Sequence, residues 1–207
     1  MPTRIVTISH TSGAGGDSVG RLVADRLGFR YLDEEIISLA AQKEGLDSDV
    51  VADVERRKGL LERILANLAQ APIVDAEIAW VPSALPKRED MRALIIEAIR
   101  ETGKRGDVVI VAHAASIPLA GSPGLLRILV TASAETRARR VAAGTTRDRA
   151  EASKLVKHSD DARADYFYRF YGIERELPTH YDLVVNTDVL DLEEAADVVV
   201  SAARRRA

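Results

Sequence analysis

The apolar run "DVVIVA" at 107–112 constrains the fold of this chain more than any other stretch. Its valines and isoleucine follow one another without polar alternation. That is the pattern of a strand covered on both faces, as in parallel sheets with helices above and below. Four further runs read as strands: "RIVTIS" at 4–9, "FRYLD" at 29–33, "LLRILVTA" at 125–132 and "YDLVVN" at 181–186. "SVGRLVADRLG" sets Val19, Leu22, Val23 and Leu27 at helical spacing and closes on Gly28. "EEIISLAAQKEG", residues about 50–71 and a stretch from Glu89 to Thr102 read as helices, as does "SAETRARRVAAG" after the fourth strand. Capping boxes are expected at Thr145 with Asp148, heading a long helix with room for a break, and at Asp191 with Glu194, heading the last one. Strands alternating with helices predict one three-layer α/β domain over 1–207 with a central parallel sheet. Residues 46–105 are expected to form a helical, acceptor-binding insertion over one edge, and 134–175 a basic helical lid with its supporting helices.

The composition fits this picture and excludes several others. With 207 residues and 46% hydrophobic content, the chain can fill a sizeable core. It has no cysteine, which rules out disulfides and thiolate metal sites, and its four histidines are scattered, which argues against a zinc cluster. The opening "MPTRIVTIS" is too short in its apolar run for a signal peptide and no stretch reaches membrane-spanning length, so a cytoplasmic protein with no membrane contact is expected. A formal net charge of -3 argues against a nucleic-acid-coating surface. The sequence leaves homo-oligomerisation open.

Directly after the first strand comes "SHTSGAGGDSVGR", residues 9–21. Its glycines let successive backbone amides converge, and the following helix turns its positive end to the same point. Gly13, Ala14, Gly15, Gly16, Asp17 and Ser18 are therefore the expected binders of a nucleotide phosphate chain. A complete loop of this kind carries lysine and then serine or threonine, and here those two positions are Gly16 and Asp17. The lysine would bring charge to the β- and γ-phosphates, and the hydroxyl would hold magnesium. Asp17 is either a magnesium ligand or simply an acid at a helix N-terminus. Asp33, after the second strand, either binds substrate or caps the next helix. His113 and Ser116, after "DVVIVA", are substrate-side candidates or ordinary residues of a strand exit.

Positive charge gathers farther along, at Arg137, Arg139, Arg140, Arg147, Arg149, Lys154, Lys157 and Arg163. Phosphoryl transfer needs cations around the moving group. Arg137, Arg140 and Arg163 are the expected catalytic cations, entering on a mobile arm to replace the missing lysine, with Arg163 foremost; a solvated basic surface is the alternative. Asp160 lies three residues before Arg163 on one helical face and joins it as a substrate-side candidate. The aromatics Tyr166, Phe167, Tyr168, Phe170 and Tyr171 next to it either anchor the arm or form a partner surface.

Taken together, "VTISHTSGAGGDSVGRLVADRLGFRYLDEEII", "VVIVAHAASIPLAG", "LLRILVTASAETRARRV", "DDARADYFYRFYG" and "YDLVVNTDVLDLEEAA" resemble the cytidylate kinase-like branch of the nucleoside monophosphate kinases, in family order along nearly the whole chain. The resemblance implies a P-loop kinase-like fold and transfer of a phosphoryl group from ATP, with Mg2+, to CMP, dCMP or UMP. It also implies acceptor contacts at Asp33 and a basic lid helix holding Arg137 and Arg140. Asp160 and Arg163 match an aspartate–arginine spacing linked to acceptor and phosphate contacts. This branch commonly has glycine at the lysine position, so Gly16 fits it. Three positions depart: Asp17 stands where arginine is frequent, Ala112 and His113 replace a glycine–arginine pair, and "ISLAA" near residue 39 lacks an acceptor arginine. These departures leave two further classes: a nucleotide-binding regulator with a degenerate site, and a small-molecule kinase with a non-nucleotide acceptor.

Overall fold

A computed structural model describes residues 2–32, 96, 99, 100, 102–112 and 114–205. Asp33, His113 and nearly all of the 46–105 insertion lie outside the described residues; Thr102 to Arg105, at its end, are helical. Each of the five predicted strands is present among them: β1 (Ile5–His10), β2 (Arg30–Leu32), β3 (Val108–Val111), β4 (Leu125–Thr131) and β5 (Leu183–Asn186). They form one sheet in the order β2-β3-β1-β4-β5, and every pairing is parallel. The register sets Ile5 beside both Val108 and Leu125, so β1 is enclosed on both sides.

Side chains alternate between the two faces. Val6 and Ile8 of β1, with Val109, Leu126 and Ile128, pack against Val19, Val23, Ala196 and Val199 from two helices, α1 (Gly16–Leu27) and the C-terminal Leu192–Arg205. Ile5, Val108 and Ile110 turn the other way, onto Ile99, Ala115 and Leu119. Two cores on opposite faces of a parallel sheet make the three-layer α/β architecture that the strand and helix alternation predicts. Burying a valine or isoleucine contributes about 1.5–3 kcal/mol, so these strands are held from both faces rather than by backbone pairing alone.

Two helices after β4 form the basic hairpin: α2 (Ala134–Ala143), capped by Ser133, and α3 (Arg149–Tyr171). They meet through Ala138, Ala152 and Val156. α3 is continuous, and its capping box lies one turn later than Thr145 predicts. Asp148 accepts from the Glu151 amide at 2.8 Å and Glu151 reaches back to the Asp148 amide, whereas the Thr145 hydroxyl donates to the Val141 carbonyl and closes α2 instead. The expected box at Asp191 and Glu194 is present, and so the C-terminal helix is α4 (Leu192–Arg205). No helix among the described residues is long and apolar enough to cross a membrane.

Candidate active site

β1 lies at the middle of the sheet, with the strand order running outward on both sides of it, and ligands of open α/β sheets bind beyond the carboxyl ends of the strands at such a place. The chain leaves β1 there through residues 11–15 and enters α1 at Gly16. Gly13 (φ 80°) and Gly15 (φ 85°) occupy the left-handed region, where a side chain is strained. Space forbids one as well: a Cβ on Gly13 would sit 2.8 Å from the Arg137 carbonyl oxygen, and on Gly15 2.5 Å from Leu192 Cδ2.

The orientation of this loop follows from its carbonyls. Ser12 O accepts from Arg137 Nη1 at 3.4 Å, and Ala14 O accepts from the Thr187 hydroxyl at 2.9 Å and Arg140 Nη1 at 3.4 Å. All peptides here are trans, so each N–H points opposite to the carbonyl of the same peptide unit. With the Ser12 and Ala14 carbonyls drawn back into the domain, the Gly13 and Gly15 amides face outward. The first-turn amides of α1, which have no intrahelical acceptors, join them at the positive end of the helix. The result is a concave set of donors suited to an anion.

The arginines expected to reach in from a mobile arm bond within the domain: Arg137 and Arg140 reach carbonyls of this loop, and Arg163 reaches the end of β1. Arg137 is buried, and its two Nη atoms grip Asp160 at 2.8 and 2.7 Å while Nε donates to Ala132 O. Arg140 donates to the Thr187 hydroxyl at 2.9 Å and to its carbonyl at 2.7 Å. Arg163 is also buried. It pairs with Glu176 through Nε at 2.7 Å and Nη2 at 2.6 Å, and also donates to Ser9 Oγ at 2.8 Å and His10 O at 3.0 Å. Asp160 therefore answers Arg137 across the hairpin rather than Arg163 on its own helix. Burial sets aside the solvated-surface alternative for Arg163: a bidentate carboxylate grip desolvated under the sheet end holds it there. Tyr181 completes the group, its hydroxyl donating to Glu176; burial, and then this bond to a carboxylate, push the phenol up to about 12.

Of the remaining expected residues, Asp17 and Ser18 are exposed on the first turn of α1. The Asp17 carboxylate lies 3.6 Å from His10 Nε2, so a metal at Asp17 competes with that contact. Among the described residues, no group of three His, Cys, Asp or Glu side chains is placed to hold an ion. Ser116 is buried in the turn after β3, whose exit is tied to β1 by Ala112 N–H donating to Ile8 O at 3.1 Å.

A family model described as the cytidylate kinase-like family matches residues 5–189. The chain belongs to this family. Among curated relatives, a cytidylate kinase of Citrifermentans bemidjiense is 31% identical over 66% of this chain, a match that spans 65% of the relative's length. A cytidylate kinase of Corynebacterium diphtheriae is 29% identical over 98% of this chain and 95% of its own. Solved structures share the fold: an uncharacterized protein of Eubacterium ventriosum (TM-score 0.65, 16% identity, 97% of this chain and 98% of that one) and a gluconokinase of Sinorhizobium meliloti (TM-score 0.57, 18% identity, 100% and 94%). A shikimate kinase of Bacteroides thetaiotaomicron aligns over 96% of this chain and 97% of that one at TM-score 0.55 and 11% identity. The chain is thus a cytidylate kinase-like protein with a P-loop kinase fold.

Within this family member, several supporting residues were silent in the sequence. Glu176 and Tyr181 carry no motif, and only the sheet topology brings them, with α3, to Ser9 at the end of β1. Thr187 stands just past the last predicted strand, within the quoted "YDLVVNTDVLDLEEAA", where loops gather at the carboxyl edge of a parallel sheet.

Proposed function

We propose that this protein transfers a phosphoryl group from ATP to a pyrimidine nucleoside monophosphate, CMP, dCMP or UMP, and acts in the cytoplasm. The observation that carries the reading is the loop after β1, whose carbonyls are held from behind by Arg137, Arg140 and Thr187 so that its amides are presented as an anion cradle. In the proposed reaction an oxygen of the acceptor phosphate attacks the γ-phosphorus, the bond to the β–γ bridging oxygen breaks, and ADP leaves with that electron pair. Amides of residues 13 and 15–18 and the Ser18 hydroxyl would hold the donor phosphates, and Asp33, His113 and Ser116 are the acceptor-side residues. Magnesium, when bound, neutralises charge on the triphosphate. We assign Asp17 to His10 rather than to the metal, given their 3.6 Å contact. Asp17→Asn should then leave the magnesium dependence of ATP binding unchanged; a selective loss of magnesium-dependent binding would return Asp17 to the metal.

Arg163 is assigned to hold Ser9 and His10 at the end of β1 in place of the transition-state role its spacing implied. A second reading, phosphorylation of a non-nucleotide acceptor, is favoured by Ala112, which stands where the family pattern has the glycine of its glycine–arginine pair. The test is an acceptor screen with ATP and magnesium, read by mass spectrometry. Formation of CDP, dCDP or UDP is expected. ATP binding without any nucleoside diphosphate would favour the other acceptor class, or a regulator that binds nucleotide without turnover.

A further inference from the structure

We propose that His10 is the side chain that meets the β- and γ-phosphates in place of the lysine this loop lacks, an inference that rests on the triphosphate occupying the glycine loop. Position 16, where a complete loop has lysine, is glycine, and the space over it is filled from the other side of the turn. A Cβ on Gly16 would overlap His10 Cβ and Cγ and come to 2.5 Å from Cδ2. A lysine at 16 and the imidazole of His10 therefore exclude each other. The chain has the imidazole, over the helix end from which the lysine side chain would depart.

The ring is held in a defined pose. Its Nδ1 lies 3.3 Å from Thr11 O, and since a carbonyl only accepts, Nδ1 carries the proton of that bond. Nε2 faces the first turn of α1, 3.6 Å from the Asp17 carboxylate, and the side chain is 16% exposed, with the Asp17 side chain at 56%. The protein thus covers most of the ring. Other charges beside it among the described residues are paired. From α3, Arg163 donates to the His10 carbonyl, and Glu176 answers that guanidinium with a bidentate pair. Arg137, from α2, is answered by Asp160. Among the described residues Asp17 is the carboxylate facing the imidazole, and with Nε2 protonated as well, its N–H turned from Asp17 to a phosphate oxygen would supply the charge-assisted donor that a lysine supplies elsewhere.

The test is calorimetric titration of the intact protein with ATP and with AMP, both with magnesium, alongside thermal unfolding. His10→Ala is expected to weaken ATP binding by about tenfold or more, the effect of losing one hydrogen bond to a charged group, while AMP binding stays within about twofold. His10→Gln keeps most of the packing and removes the charge; it should fold and show the same selective loss. The exchange His10→Gly with Gly16→Lys should return most of the ATP affinity, whereas Gly16→Lys alone should lower the unfolding temperature. Wild-type ATP affinity in both His10→Ala and His10→Gln would overturn the proposal, since His10 would then only fill space. Equal weakening of ATP and AMP would overturn it too, by showing that His10 merely shapes the loop. If the wild type binds no ATP, the triphosphate reading itself fails and takes this inference with it; ATP binding indifferent to His10 sinks the inference alone.

Discussion

At its amino end α3 shows Arg149, Lys154 and Lys157 to solvent, while farther along the same helix Arg163 is buried against Ser9, His10 and Glu176. The residue types are alike, but their surroundings differ. Arg149 meets Glu135 with the two side chains 65% and 73% exposed, whereas Arg163 and Glu176 are 7% and 18% exposed. In water, long side chains lose entropy and gain little when they pair; in the interior, the pair cannot be broken without stranding a charge. The hairpin thus has a solvated tip and a root built into the glycine loop and the end of β1, and a basic helix can be both a surface and a scaffold.

Substitutions along α2 and α3 should separate the two ends. The largest effect is expected at the root, where Arg163→Ala leaves Glu176 without its cation and should destabilise the fold by about 3–5 kcal/mol in denaturant unfolding. A loss below about 1 kcal/mol would place the root with the tip. Next comes a pH effect on Tyr181. Its hydroxyl titrates at about 12 in the folded protein, above the ordinary value of about 10. The folded state holds that proton longer than the unfolded chain, so the stabilisation is full below about pH 10 and disappears as pH rises toward 12, with a loss on the order of 2–3 kcal/mol. Unfolding curves across that window should show this component in the wild type and lack it in Tyr181→Phe. Identical pH profiles for the two proteins would detach Tyr181 from the root.

At the tip, Asp148→Ala removes the capping acceptor of α3 and should cost about 1 kcal/mol. Arg149→Ala, at an exposed ion pair, should change stability by less than about 0.5 kcal/mol, a difference that high salt would erase. A tip arginine as costly to remove as Arg163 would abolish the distinction.

The sheet was legible because its signal is local: continuous apolar runs announced β1, β3 and β4, and Gly28 and Asp191 announced helix ends. The glycine loop was legible for the same reason. The partners of the arginines were not legible, because spacing on one helix says nothing of partners on another chain segment. Asp160 sits three residues before Arg163 and yet serves Arg137, and Glu176, the partner of Arg163, lies in the segment after α3 without a periodic pattern around it. Burial decided each case. The displacement of the α3 cap from Thr145 to Asp148 is a smaller instance: both are capping types, and the Val141 carbonyl within reach of the Thr145 hydroxyl settled which one was used.

The direction of the loop amides decides whether this turn can hold a phosphate chain. Backbone amide resonances recorded by NMR during titration with ATP and magnesium test it directly. The predicted result is that the largest shifts fall on Gly13 and on Gly15 through Ser18, with the Arg137, Arg140 and Thr187 amides behind the loop moving little. Saturable ATP binding that leaves residues 13–18 unshifted would contradict the account, because the carbonyl ties to Arg137, Arg140 and Thr187 would then be shaping a turn and not a phosphate site.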